Sequence, residues 1–183
     1  MQTYYKFLFV IGLLFEVFGQ VLLSNGNGFV YAQQPIDFTH WFLLIGVAFM
    51  IPAIGLFPKN IYTYIGVPII IIGIVCIIGM CVLDFIWWSQ PTQEIRNEFA
   101  SHIAKFPAIW NPFITTGPNF LNIGLLLLSF NYLRKNRIGV AFIIIATLIV
   151  YFGRFIPHRL IYAYLITAIG YTILFFKKPQ HGY

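Results

Sequence analysis

Residues 61–83 read IYTYIGVPIIIIGIVCIIGMCVL and carry no charge; Asp84 and the pair Trp87–Trp88 close the run. At a rise of about 1.5 Å per residue, a helix over this stretch covers roughly 33 Å, enough to cross a bilayer core of about 30 Å. The stretch predicts a transmembrane helix, and the rest of the chain repeats its character. Of the 183 residues, 60% are hydrophobic and 9% charged, with a mean hydropathy of +0.83. A soluble domain carries about 25% charged residues, so this chain has too little polar surface to clothe a globule in water. The fold expected is all-α: a single polytopic membrane domain over 1–183, six transmembrane helices in a bundle, with one amphipathic surface helix.

On either side of 61–83, the apolar runs and their breakers place helices at about 5–23, 41–57, 61–88, 113–133, 138–156 and 160–176. Ser24-Asn25-Gly26-Asn27-Gly28 ends the first helix, and Pro58-Lys59-Asn60 turns into the third. Pro52 and Pro68 fall inside helices, where each removes a backbone hydrogen bond. The fourth span starts either near Trp110 with a kink at Pro118, or at Pro118 with Thr116 or Gly117 as cap. Pro157 stops the fifth, and Lys177-Lys178-Pro179 stops the sixth. Lys6, the apolar run after it and Val30-Tyr31-Ala32 have the outline of a signal peptide. Glu16 interrupts that run and Ala32 lies far beyond it, so a retained first helix is expected.

The one water-loving stretch is 89–107. Ile95, Phe99, Ile103 and Phe106 recur at helical spacing, with Glu94, Arg96, Asn97, Glu98, Ser101 and Lys105 opposite. An amphipathic helix over about 92–106 is predicted, lying on the membrane surface or packed on the other helices.

Net charge is +6, but the basic residues stand singly or in short clusters between apolar runs, which is a topology signal and not a nucleic-acid stripe. Six spans with the N-terminus inside put Lys6, Lys59, Arg134, Lys135, Arg137, Lys177 and Lys178 on the inner side. Arg96, Lys105, Arg154 and Arg159 fall outside. Trp41, Trp87, Trp88 and Trp110 also fall at the outer interface, where indoles prefer to sit. Both termini are expected to be cytoplasmic. Short loops and the absence of paired cysteines lean toward a bacterial cytoplasmic membrane. Cys76 and Cys81 share one helix on different faces, which suits buried apolar side chains better than a disulfide or metal pair. Ile45-Gly46-Val47-Ala48-Phe49 recurs as Ile138-Gly139-Val140-Ala141-Phe142, and Ile11-Gly12-Leu13-Leu14 as Ile123-Gly124-Leu125-Leu126. An inverted repeat of three helices plus three, as in many transporters, accounts for this; so does chance in a small apolar alphabet.

Intramembrane ionisable residues are expensive and point to function. Glu16 lies roughly 15 Å past Lys6, near the bilayer midplane, and is the costliest. Gly12, Glu16 and Gln20 share one face of the first helix. Asn111, Thr115, Asn119 and Asn122 form a polar stripe on the fourth, and Thr147, Tyr151, Arg154 and His158 one on the fifth. Lipid offers no hydrogen bonds, so these faces should turn inward. His40, Asp84, Trp87 and Trp88 border the same layer.

The expected site is a polar pocket opening outward, with Glu16 at its floor and Gln20, Asp84, Trp88, Asn119, Asn122, Arg154 and His158 around it. Interhelical hydrogen-bond glue is the structural alternative. The four histidines show no paired metal spacing, and no phosphate loop, serine elbow or HExxH occurs, so neither metal nor cofactor is expected.

Three functional classes remain open. One is a membrane protein that binds or transports a small or amphipathic ligand, needing a homodimer to complete a transporter. Another is an accessory subunit of a larger membrane complex. The third is an intramembrane lipid-modifying enzyme with Glu16 or Asp84 as acid–base and His158 or Arg154 assisting. Expected partners are membrane lipid and a small molecule, with no nucleic acid.

Overall fold

A computed structural model describes residues 2–177; Lys178, Pro179 and His181 lie outside the described residues. Within these bounds the fold is helical without strands. Three helices are long and apolar enough to cross a membrane: α1 (Gln2–Leu23), α4 (Ile61–Trp88) and α9 (Arg159–Phe176). A bent pair adds up to one more. It joins α6 (Pro107–Trp110), a π turn (Asn111–Thr115), α7 (Gly117–Ser129) and a final 3-10 turn (Phe130–Tyr132), with a 45° bend between 107–115 and 117–132. Two further apolar helices, α3 (Phe38–Ile54) and α8 (Arg137–Phe152), are 17 and 16 residues long. The remaining elements are the short α2 (Asn27–Ala32) and α5 (Gln93–Ile103).

Capping side chains set several boundaries. Asn60 accepts from the backbone N–H of Tyr62 and Thr63 and starts α4. Asn136 accepts from Gly139 N–H to start α8, and donates to the Ile173 carbonyl at 3.1 Å, tying the beginning of α8 to the end of α9. Asp37 accepts from His40 N–H, so α3 begins three residues before the expected 41 and ends at Ile54 instead of 57. The helix expected at 138–156 runs Arg137–Phe152, with Gly153 as its C-cap. The sequence reads 24–28 as the end of the first helix and 31–40 as a polar connection. Gly26, with φ of 87°, instead launches α2, whose Val30 is buried.

The helices close a ring in the order α1, α3, α4, α7, α8, α9 and back to α1. Neighbours run antiparallel: Gly19 meets Leu43 while Gly12 meets Gly46 further along α3. Phe7 likewise stacks on Phe176 at one end of α1 and α9, while Gln20 and Arg159 share a cavity near the other. Three pairs within the ring are tightest, and each is closed on glycine. A Cβ on Gly12 would lie 2.4 Å from the Gly46 carbonyl oxygen, joining α1 to α3. One on Gly73 would lie 2.3 Å from Leu121 N, joining α4 to α7. Gly139 and Gly170 face each other the same way in α8 and α9. Small residues allow this close approach, which holds helices together where no hydrophobic driving force separates them from lipid.

The proposed repeat does not extend to packing. Gly12 faces Gly46, but its sequence match Gly124 faces Ile70, and Gly139 faces α9.

The ring is apolar on its outside: Phe7, Phe18, Ile65, Val75, Ile145 and Leu148 all expose large side chains. The end nearer both described termini is plugged by Phe9, Phe57, Tyr132, Tyr171 and Phe175, with Phe9 and Tyr171 centroids 4.8 Å apart. The Tyr171 hydroxyl donates to the Leu125 carbonyl at 2.6 Å, so the plug leaves that phenol satisfied. At the opposite, far end lie α2, α5 and the four tryptophans.

Candidate functional site

The far half of the ring is where polar side chains turn inward. On α1, Gly12 brings the helix against Gly46 of α3, and Glu16 one turn on is pressed into the same contact. A Cβ on Gly46 would stand 2.8 Å from Glu16 Oε1, so the bare glycine makes room for the carboxyl group. Glu16 is 1% exposed, and Oε1 has no hydrogen-bond partner. Burying an unpaired polar atom costs about 1–3 kcal/mol, so its retention here calls for an explanation.

Glu16 lines a cavity of about 340 Å³ on the ring axis, at the lower end of small-molecule sites. All six ring helices contribute to its wall. Gln20 joins Glu16 from α1, Leu43 comes from α3, and Ile77 and Met80 come from α4. Asn119 and Asn122 come from α7, Val150 from α8, and Arg159 and Tyr164 from α9. Ile114 and Thr115 belong to the π turn.

That turn has a local cause. Pro112 and Pro118 each lack a backbone donor, so the regular ladder cannot run through 112–118. The Asn111 carbonyl instead accepts from Thr116 N–H at 2.8 Å and from the Thr115 and Thr116 hydroxyls. Gly117 packs on Cys76 at the bend. The break falls at Thr116, one of the two caps read from the sequence for a helix starting at Pro118, and α7 begins at Gly117. It sets the cavity wall, the usual setting for a π bulge.

The predicted site residues separate into three groups. Glu16, Gln20, Asn119 and Asn122 line the axial cavity. Asn119 also accepts from the Tyr151 hydroxyl through its carbonyl, joining α7 to α8, and Asn122 donates to the Pro118 carbonyl. His158 lines an adjoining cavity of about 290 Å³, bounded by the end of α1 and the α8–α9 connection, which shares Gln20, Leu23, Arg159 and Leu160 with the first. It takes a left-handed conformation just before α9.

Arg154, Asp84 and Trp88 do not line the axial cavity. Arg154 is exposed because α8 ends at Phe152, two residues earlier. Arg159 supplies the basic group instead; its Nε is buried with no hydrogen-bond partner. Sequence reading left Arg159 out because it follows Pro157 and looked like an ordinary loop cation. Trp88 donates from Nε1 to the Gln33 carbonyl, fastening the α2–α3 connection to α4.

Asp84 belongs to a second cluster. His40 Nδ1 lies 2.5 Å from Asp37 Oδ2, and His40 Nε2 lies 3.3 Å from Asp84 Oδ2. The imidazole thus bridges two carboxyl groups and pins the start of α3 to the end of α4. His40 stands one turn beyond Leu43, and Asp84 one turn beyond Met80, so the cluster sits next to the cavity wall. Asp37 was not singled out from the sequence, although Asp-Phe-Thr-His ahead of an apolar run is a capping signal.

Around the cluster, Gln33 donates to the Thr39 hydroxyl at 2.8 Å and accepts from Thr39 N–H. Arg96 of α5 lies over the Tyr31 ring. Burial pushes the Tyr31 phenol above its ordinary value, reinforced by Asp84 and Asp37 and opposed by Arg96, so Tyr31 stays a neutral hydroxyl near pH 7. Among the described residues no three His, Cys, Asp or Glu side chains converge as a metal site, and Cys76 and Cys81 are free thiols.

Compared with known proteins, the chain matches no family, no curated protein and no solved structure.

Proposed function

We propose that this chain is a six-span integral membrane protein that binds or carries a small or amphipathic ligand in the axial cavity. The ligand enters from the membrane face opposite both termini, which lie in the cytoplasm of a bacterial cell. The observation that carries this reading is Glu16, a buried acid on the cavity wall whose Oε1 has no protein partner. An acid serving as interhelical glue has its partner inside the bundle, and an accessory subunit has no use for a polar chamber beside that acid. Closure of the opposite end by the aromatic plug supports a cavity loaded from one side.

A second reading rests on the His40 cluster. A histidine held by one carboxylate and facing another is the apparatus of general acid–base chemistry, and suits an intramembrane enzyme acting on lipid. Binding is the better-supported reading because His40 has both ring nitrogens engaged and lies outside the cavity wall.

Native mass spectrometry of the protein gently extracted from its own membrane tests the proposal. The expected spectrum shows a retained small molecule or one specific lipid. A bare chain, or one released only with a larger protein partner, overturns it in favour of the accessory-subunit reading.

A further inference from the structure

An acid and a base line the cavity, Glu16 and Arg159, and each has one buried polar atom without a protein partner. Glu16 Oε1 comes from α1 at the deep end, and Arg159 Nε from the first turn of α9 at the mouth. They do not neutralise each other: among the described residues the only ion pairs are those of His40 with Asp37 and Asp84. Between them, Gln20, Thr115, Asn119, Asn122 and Tyr164 offer uncharged donors and acceptors. The rest of the wall is apolar, from Leu23, Leu43, Ile77, Met80 and Val150.

An anion alone satisfies Arg159 and leaves Glu16 bare, while a cation alone does the reverse. A polar group shut away from water and left unpaired costs more than an ordinary hydrogen bond returns. We infer that the ligand is a zwitterion, its cationic group at Glu16 and its anionic group at Arg159. This inference rests on the ligand-binding reading above and names the chemical class that the cavity takes.

The chamber's volume of about 340 Å³ fits a small solute or a single headgroup, not a whole lipid. Two sources share the chemistry. One is a free amino-carboxylate or amino-phosphodiester. The other is the headgroup of a zwitterionic phospholipid, with the adjoining cavity beside His158 and Ile161 as the exit for its chains.

The test uses the full-length protein in nanodiscs, with thermal shift and titration calorimetry. The zwitterionic probes are γ-aminobutyrate and glycerophosphoethanolamine; ethanolamine and glycerol phosphate supply each charge alone. Expected is saturable binding of at least one zwitterion, with each single-charge probe weaker by about tenfold or more. Glu16→Gln and Arg159→Gln should each weaken the zwitterion by a similar factor, and Arg159→Lys should restore most of the loss. Each variant is scored against its own ligand-free melting curve, and a variant that does not fold is replaced by Glu16→Met or Arg159→Met, which also remove the charge.

Native mass spectra from phosphatidylethanolamine and phosphatidylglycerol nanodiscs separate the sources. Selective retention of phosphatidylethanolamine that both substitutions abolish assigns the headgroup; binding of the soluble probes alone assigns a free solute. An amine bound through Glu16 with no dependence on Arg159, an acid bound through Arg159 alone, or retention of an uncharged molecule overturns the zwitterion and leaves ligand binding standing. No bound probe and a bare chain from the native membrane overturn both.

Discussion

Two buried acids in this chain meet opposite fates, and single substitutions should separate them. Asp37 is paired with His40 and caps α3, whereas Glu16 Oε1 has no partner to lose. His40→Ala leaves the Asp37 and Asp84 carboxyl groups facing each other across a gap, and should cost about 3 kcal/mol. A large fall in melting temperature in detergent is the expected result, and an unchanged melting curve would show that the bridge stabilises nothing. Glu16→Gln keeps the shape and breaks no protein hydrogen bond, so its melting temperature should stay close to that of the parent. A fall as large as that of His40→Ala, with no change in retained ligand, would make Glu16 structural. Glu16 was legible from sequence because an acid ten residues into an apolar run is costly anywhere. Asp37 and Arg159 were not, since each sits in a polar connection where a charge costs little until the fold buries it. Their meaning comes from His40 on one side and the α1 face on the other, contacts between segments far apart in the chain or set by a cap.

At the level of elements, uncharged length was the readable quantity. The ranges of α1, α4 and α9 follow closely from their apolar runs and flanking breakers. The start of α3 moved because Asp37 capped it, and α2 was missed because six residues are too few to display a period. The amphipathic pattern of 93–103 did reveal α5, but nothing in it named the partner. Arg96 supplies that link, donating to the Trp87, Trp88 and Gln90 carbonyls and lying over the Tyr31 ring at 4.5 Å. The Trp87–Phe99 edge contact adds a second attachment. Arg96→Ala should therefore loosen α5 without unfolding the ring. Hydrogen exchange is expected to quicken over 93–103 while α1 and α9 keep their protection. Arg96→Lys should fail to rescue, because an ammonium cannot span three carbonyls in a plane as a guanidinium does. Equal protection of 93–103 in both variants would mean that the aromatic contact alone holds the helix.

For the whole molecule, the proposed six spans rest on the order of helices in the ring as well as on their lengths. The α3 and α8 helices reach only about 25 Å, short of a core of about 30 Å. Yet α3 runs antiparallel between α1 and α4, and α8 lies between the bent α6–α7 segment and α9. If α1 and α4 both cross in the same sense, the chain must return through α3, and the same holds for α8 between its neighbours. A short span is accommodated by local thinning of the bilayer at a fraction of a kcal/mol per Å. The proposed six crossings and cytoplasmic termini predict one pattern of labelling. In a background with Cys76 and Cys81 replaced, single cysteines at Asn27, Glu98 and Phe155 should react with a membrane-impermeant maleimide in intact cells. Cysteines at Lys59 and Lys135 should react only after permeabilisation. Full reversal of the two sets would invert the protein in the membrane, move the cavity mouth to the cytoplasm and keep all six spans. Reaction of the Lys59 and Asn27 positions from the same side would instead show that α3 does not cross. A wall of the cavity would then be a helix that dips into the bilayer and returns, and ligand entry would have to be sought beside α3 and not at the far end of the ring.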